Sequence, residues 1–216
     1  MTQKILVALT AALLFAPAVD AKSTVNKSVK VGQGEFHQGS LKSVNGSISI
    51  GSEAEVKGEI STVNGTIKVG DRTQIRNVTS VNGMIRVDND ARVDGDVNTV
   101  NGQIELDAGA EINGDVETVN GSVTVDGAVV ENNVRTVNGK IRLDEEALVK
   151  GDIVILENES KGYHKYNQKP IIIELAGGSV VQGDIRNENT RREVIVRLKE
   201  GSEVRGEIID AETERE

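Results

Sequence analysis

The chain has 216 residues, a formal net charge of −9 at pH 7, 2% aromatic residues and no cysteine. That acidic balance argues against a nucleic-acid binder, which needs a basic footprint, and against electrostatic docking on anionic lipid. Disulfide staples are excluded, and so few rings leave stability to packed Val and Ile and to backbone hydrogen bonds.

Taken in chain order, residues 1–21 read as a secretory signal: Lys4 in a positive start, an apolar run over 5–16, and the small-residue stretch PAVDA at 17–21. The run is too short to cross a bilayer as a stable helix. Cleavage after Ala21 is expected to leave an exported mature chain from Lys22 with no transmembrane segment. A polar N-terminal flank, 22–28, follows.

From Val29 to Ile208 one phrase organises the sequence. SVNG or TVNG recurs six times, and its asparagines, Asn45, Asn64, Asn82, Asn101, Asn120 and Asn138, are 18 or 19 residues apart. In the coil TVNGQIELDAGAEINGDVE, apolar residues fall at Val100, Ile104, Leu106, Ala110, Ile112 and Val116. Ile104/Leu106 and Ala110/Ile112 have period two, as one side of a short strand requires, and Gly, Asp and Asn punctuate the runs as turn residues do. Such units cannot bury an apolar face alone, but stacked turns share an interior. The expectation is an all-β chain, a single parallel β-helix of about nine turns. Its first inward positions would be Val29, Ile48, Ile67, Ile85, Ile104, Val123, Ile141, Ile173 and Val196. The Asn-Gly pairs then mark one recurring corner, where Gly accepts positive φ and Asn side chains form a structural column. An antiparallel sandwich on Asn-Gly hairpins is the alternative fold.

The period breaks twice, at 156–170 and 186–192, each time after Gly-Asp-Ile, so both insertions replace the Asn-Gly corner and should project side by side. Their Tyr163, His164, Lys165, Tyr166, Arg186, Arg191 and Arg192 form a basic, partly aromatic patch on an acidic rod, a candidate ligand or partner site. Tolerated surface insertion is the other reading. The residues 209–216 are expected to be a charged tail.

The register also stacks carboxylates. Asp88, Asp107, Asp126 and Asp144 share one turn position and are the candidate calcium column. Glu59, Asp96, Asp115, Asp152, Asp184 and Glu207 share another, with Asn133 in step. Asp beside Gly is also ordinary turn chemistry. His37 and His164 are the only histidines, and neither has metal-site spacing. No catalytic constellation and no cofactor are expected.

The stretches GSEVRGEI and DARVDGDV resemble the bactofilins, polymer-forming bacterial proteins built on a short-coil β-helix. VETVNGSVTVDG is similar to the adhesin-type domains of exported bacterial proteins. The resemblance implies a single right-handed parallel β-helix with a non-enzymatic structural or adhesin-like role in the bacterial envelope, in the periplasm or at the cell surface, with an envelope protein or polysaccharide as a partner. The short, polar flanks at 22–28 and 209–216 leave the terminal strand edges uncapped, and uncapped edges point to a homopolymer or homo-oligomer associating end to end. A signal peptide departs from the cytoplasmic bactofilins. A periplasmic binding module using the edge of loops 156–170 and 186–192 is the second reading, and a polysaccharide-active β-helix enzyme the third.

Overall fold

The computed structural model describes residues 21–157, 169–199 and 201–216. Its strands stack in parallel as a β-solenoid of about ten turns. In one representative turn, Ile104–Leu106, Glu111–Ile112 and Val116–Asn120 each lie on one face of the coil. The first pairs with Ile85–Val87 and Val123–Asp126, the second with Arg92–Val93 and Val129–Val130, the third with Val97–Asn101 and Val134–Asn138. Pairing is thus always with the turns before and after, and the hairpin sandwich is overturned.

Alternation decides what faces in. Ile104, Leu106, Ala110, Ile112, Val116 and Thr118 are all buried, and the core they belong to runs continuously from Val29 to Leu198. Burying each Ile or Leu contributes about 1.5–3 kcal/mol. The nine expected inward positions are in register from Val29↔Ile48 to Ile173↔Val196.

Four sequence expectations are corrected. The tail does not hang free: Glu212–Arg215 pairs with the Val194–Leu198 strand and makes a tenth rung. Backbone groups do this pairing, so it needs no apolar signature. The 22–28 flank likewise begins in a strand, Lys22–Thr24, paired with Leu41–Asn45. Within the repeated phrase, the hydroxyl residue always faces in, while the valine ranges from exposed at Val44 through half-buried at Val63, Val81 and Val100 to buried at Val119 and Val137. Thr62, Thr99, Thr118 and Thr136 are buried, whereas Val44 is 38% exposed. The threonine face is chosen because an inward hydroxyl has a carbonyl to meet: Thr62 Oγ1 donates to Gly46 O at 3.0 Å and Thr118 Oγ1 to Gly102 O at 3.2 Å.

Finally, the Asn-Gly corner does not use positive φ. Left-handed residues gather instead after the first face, at Glu53, Arg72, Asp90, Gly109, Gly127 and Gly177 among others. Glycine is required after Asn because successive turns nearly touch there: a Cβ on Gly121 would lie 1.7 Å from Gly102 O. Lys27 stands where the phrase would have Gly, in the first described turn, and its carbonyl is the one that Gly46 approaches.

The buried hydroxyls of Thr118 and Thr136 differ in one respect, since Thr136 Oγ1 has no hydrogen-bond partner. An unsatisfied buried polar atom costs about 1–3 kcal/mol, and a made bond contributes about 1 kcal/mol. Thr136→Val should therefore raise the unfolding free energy and Thr118→Val should lower it. Urea unfolding of the two variants checks this, and the opposite order would refute the assignment.

Candidate functional site

The Asn-Gly corner builds an amide ladder along the rod. Asn45 Nδ2 donates to Asn26 Oδ1 at 2.9 Å, Asn64 to Asn45 at 2.8 Å, Asn82 to Asn64 at 2.9 Å and Asn101 to Asn82 at 2.9 Å. Asn120 then donates to Asn101 at 3.0 Å and Asn138 to Asn120 at 3.2 Å. An amide carries both donor and acceptor, so identical residues can bond up a column. The ladder starts one turn earlier than the sequence expectation. Asn26 belongs to Thr24-Val25-Asn26, a copy of the phrase visible in the sequence but disguised by Lys27.

The column of Glu59, Asp96, Asp115, Asp152, Asp184 and Glu207 has a different use. A carboxylate cannot donate, so here the donor is the backbone of the next turn. Asp96 N–H donates to Asn77 Oδ1, Asp115 N–H to Asp96 Oδ1 and Asn133 N–H to Asp115 Oδ1, at 2.9, 2.9 and 3.0 Å. Asp152, Asp184 and Glu207 N–H continue the series at 2.9, 2.8 and 2.9 Å. The preceding glycine makes room, since a Cβ on Gly114 would sit 2.2 Å from Asp96 Oδ1. Outer oxygens take arginines: Arg135 reaches Asp115 at 2.6 Å and Arg186 reaches Asp152 at 2.5 Å.

The candidate calcium column is largely ion-paired. Arg86 binds Asp88 at 3.1 Å and Asp107 at 2.6 Å, Lys68 lies 3.0 Å from Asp88, and Arg142 binds Asp144 at 2.5 Å. The Arg142 hydrogen bond holds the Asp144 carboxyl below its ordinary range, against partial burial. Asp126 is pushed up by burial, with Arg142 opposing and Asp144 adding to the rise. Among the described residues no group of three or more His, Cys, Asp or Glu side chains is arranged to hold a metal ion.

Of the patch residues, Tyr163, His164, Lys165 and Tyr166 lie outside the described residues. Arg186 is taken up by Asp152, and Arg191 is exposed. Arg192 turns back onto the rod: one guanidinium nitrogen lies 3.4 Å from Asn138 Oδ1, ending the ladder, and another donates to Lys169 O at 2.8 Å. The bases of the two insertions are therefore neighbours, as their shared corner implies. No signal in the sequence marked Arg192 as the ladder's end, because it comes from outside the repeat. His37 points into the first turn, buried, in register with Val56.

No helix among the described residues is long and apolar enough to cross a membrane. No protein-family model matches the chain, nor does any curated protein or solved structure.

Two outcomes follow from these columns. Asn101→Val removes a link in mid-ladder and should lower the melting temperature more than Gln103→Val on the outward surface beside it. Equal losses would mean the ladder contributes nothing. Glu117 is the second case: burial pushes its carboxyl up, Arg135 opposes, and Asp115 and Asp96 add to the rise. A raised folded-state pKa means that the folded protein binds the proton more tightly, so the ionised form costs stability above that pKa. Glu117→Gln should stabilise at neutral pH, with the gain shrinking as pH falls through the raised value towards the ordinary carboxylate value. Thermal melts across that range test it, and a gain independent of pH would contradict the burial argument.

Proposed function

We propose that the protein is a non-enzymatic, exported structural rod of the bacterial envelope that associates end to end with copies of itself. The reading rests on the terminal rungs. Among the described residues, Lys22–Thr24, Val29–Val31 and Phe36–His37 have no strand on the side facing away from the rod. Neither do Glu203–Val204, Ile208–Ile209 and Glu212–Arg215 at the other end. Unpaired edges are templates for strand addition.

Two further features favour joining opposite ends. Among the described residues, the large apolar side chains most open to solvent, Val25, Phe36 and Val44, gather at the first turns. At the far end Val204, Ile208 and Ala211 pack only partly against the core. Charge also differs between the ends: Lys22, Lys27, Lys30 and Lys42 outweigh Glu35, while Glu203, Glu207, Asp210, Glu212, Glu214 and Glu216 outweigh Arg205 and Arg215. Opposite charge steers head-to-tail encounter and disfavours like ends meeting. A non-enzymatic role is supported by the fate of the carboxylates, which serve backbone N–H groups and arginines. Export rests on the signal-like residues 1–21.

A second reading, partner binding at the edge of the two insertions, is favoured by the Arg192 contact with Lys169.

Light scattering of the chain beginning at Lys22 tests the end-to-end reading. Mean mass should rise with concentration at low salt. It should fall as salt shortens the screening length from about 10 Å at 0.1 M to about 3 Å at 1 M. Glu207→Lys with Glu212→Lys should shift the protein towards monomer. A monodisperse monomer at every concentration, in low and high salt alike, would end this reading.

A further inference from the structure

The six Asn-Gly pairs share one backbone position yet differ in how firmly the fold holds the atoms of a known reaction. Asparagine is thermolabile, most of all before glycine. The glycine backbone nitrogen, once deprotonated, attacks the asparagine Cγ. An N–C bond forms, the bond from Cγ to the amide nitrogen breaks, and ammonia leaves a five-membered succinimide. Water opens that ring at either carbonyl to give aspartate or isoaspartate. The net change consumes one water and releases ammonia, and needs no oxidant, metal or enzyme.

In mid-rod both reacting groups are held. Asn64, Asn82 and Asn101 each donate Nδ2–H to the amide before and accept from the amide after, over 2.8–3.0 Å. Their glycine nitrogens are also engaged: Gly65 N–H donates to Asn82 O at 3.2 Å, and Gly83 and Gly102 N–H donate to Asn101 O and Asn120 O at 3.1 Å. Losing ammonia there removes a donor from a closed column and sets the new carboxylate against the carbonyl oxygen of the preceding amide.

Asn138 differs on three counts. Its link to Asn120, at 3.2 Å, is the longest in the ladder. The turn after it carries the 156–170 insertion where the phrase would be. Gly139 N–H, like those of Gly46 and Gly121, has no backbone acceptor among the described residues, so this freedom is shared with Asn45 and Asn120 rather than peculiar to Asn138. Above all, its Oδ1 faces not another amide but the Arg192 guanidinium, at 3.4 Å. A permanent positive charge there polarises the carbonyl, stabilises the oxyanion that forms when Gly139 N adds, and then pairs with the product carboxylate.

We propose that Asn138 is a spontaneous modification site, the position at which deamidation enters the Asn column, with Arg192 as the residue that promotes it. The product carries an ion pair between the rod and the 186–192 insertion in place of a contact between a charge and a neutral amide.

The test is peptide mapping by mass spectrometry after incubating the folded chain at mildly alkaline pH, following the deamidated fraction at all six sites. Asn138 should convert severalfold faster than Asn64, Asn82 and Asn101. Arg192→Gln should bring its rate down towards theirs, and in urea the six rates should converge. An Asn138 rate no higher than the mid-rod sites, a lead that survives Arg192→Gln, or a lead that persists in urea would each overturn the proposal.

Discussion

Parallel pairing in register sets every residue over its counterpart one turn away, about 4.8 Å along the axis. Each column must therefore be compatible with itself, and the rest of the structure answers that demand. Valine and isoleucine satisfy it by packing. Asparagine satisfies it by donating to one neighbour and accepting from the other. Aspartate, all acceptor and charged, cannot stack on itself without a cost, so its column interposes backbone N–H groups on the inner oxygen and arginine on the outer. On the outward face, where carboxylates would repel up the column, Arg86 sits among Asp88, Glu105 and Asp107 and ties adjacent turns together. Each exposed pair contributes little alone, so its role is more to remove repulsion than to supply net stability.

The same stacking explains both glycine positions. A hydrogen-bonded corner brings the next turn's backbone or carboxylate to where a Cβ would be, as at Gly121 and Gly114. Asn-Gly and Gly-Asp are thus two halves of one requirement: a short polar side chain aimed along the axis, and a bare backbone beside it. The corner after the first face solves a different problem, a sharp bend through left-handed residues, which is why Glu, Arg and Asp are found there as well as Gly. Six recurring phrases come from the corners where space is scarcest.

Much of this was readable in the sequence, because inward apolar positions with period two fix register, and the nine positions from Val29 to Val196 do stack. The unread parts have physical causes. Thr and Val are both β-branched and nearly the same size, so hydrophobicity favours the wrong one for the interior of the TVNG strand, where the deciding factor is a carbonyl one turn away. Terminal rungs pair through backbone, so Glu212–Arg215 gives no apolar clue that it is a strand. Asn26 was hidden by one substitution. Arg192 reaches the column from an insertion whose conformation no periodicity encodes. Of the patch first drawn from the insertions, the structure describes only the arginines, and it puts two of them to work on the rod itself.

Directionality is the last consequence. In the ladder every amide donates towards the Lys22 end, and in the second column Asp96, Asp115, Asp152 and Asp184 each accept from the turn nearer the C-terminus. The rod therefore has a sense, and a junction that continued its columns would have to join unlike ends. The two insertions remove the Asn column from the last turns, so such a junction would be carried by the strand edges of the first and second faces and by the charge difference between the ends. A filament built this way would have identical polarity in every subunit. Like ends meeting would bring carboxylates against carboxylates at Glu203, Glu207 and Glu212, and that repulsion makes polarity a property of the sequence rather than of assembly conditions.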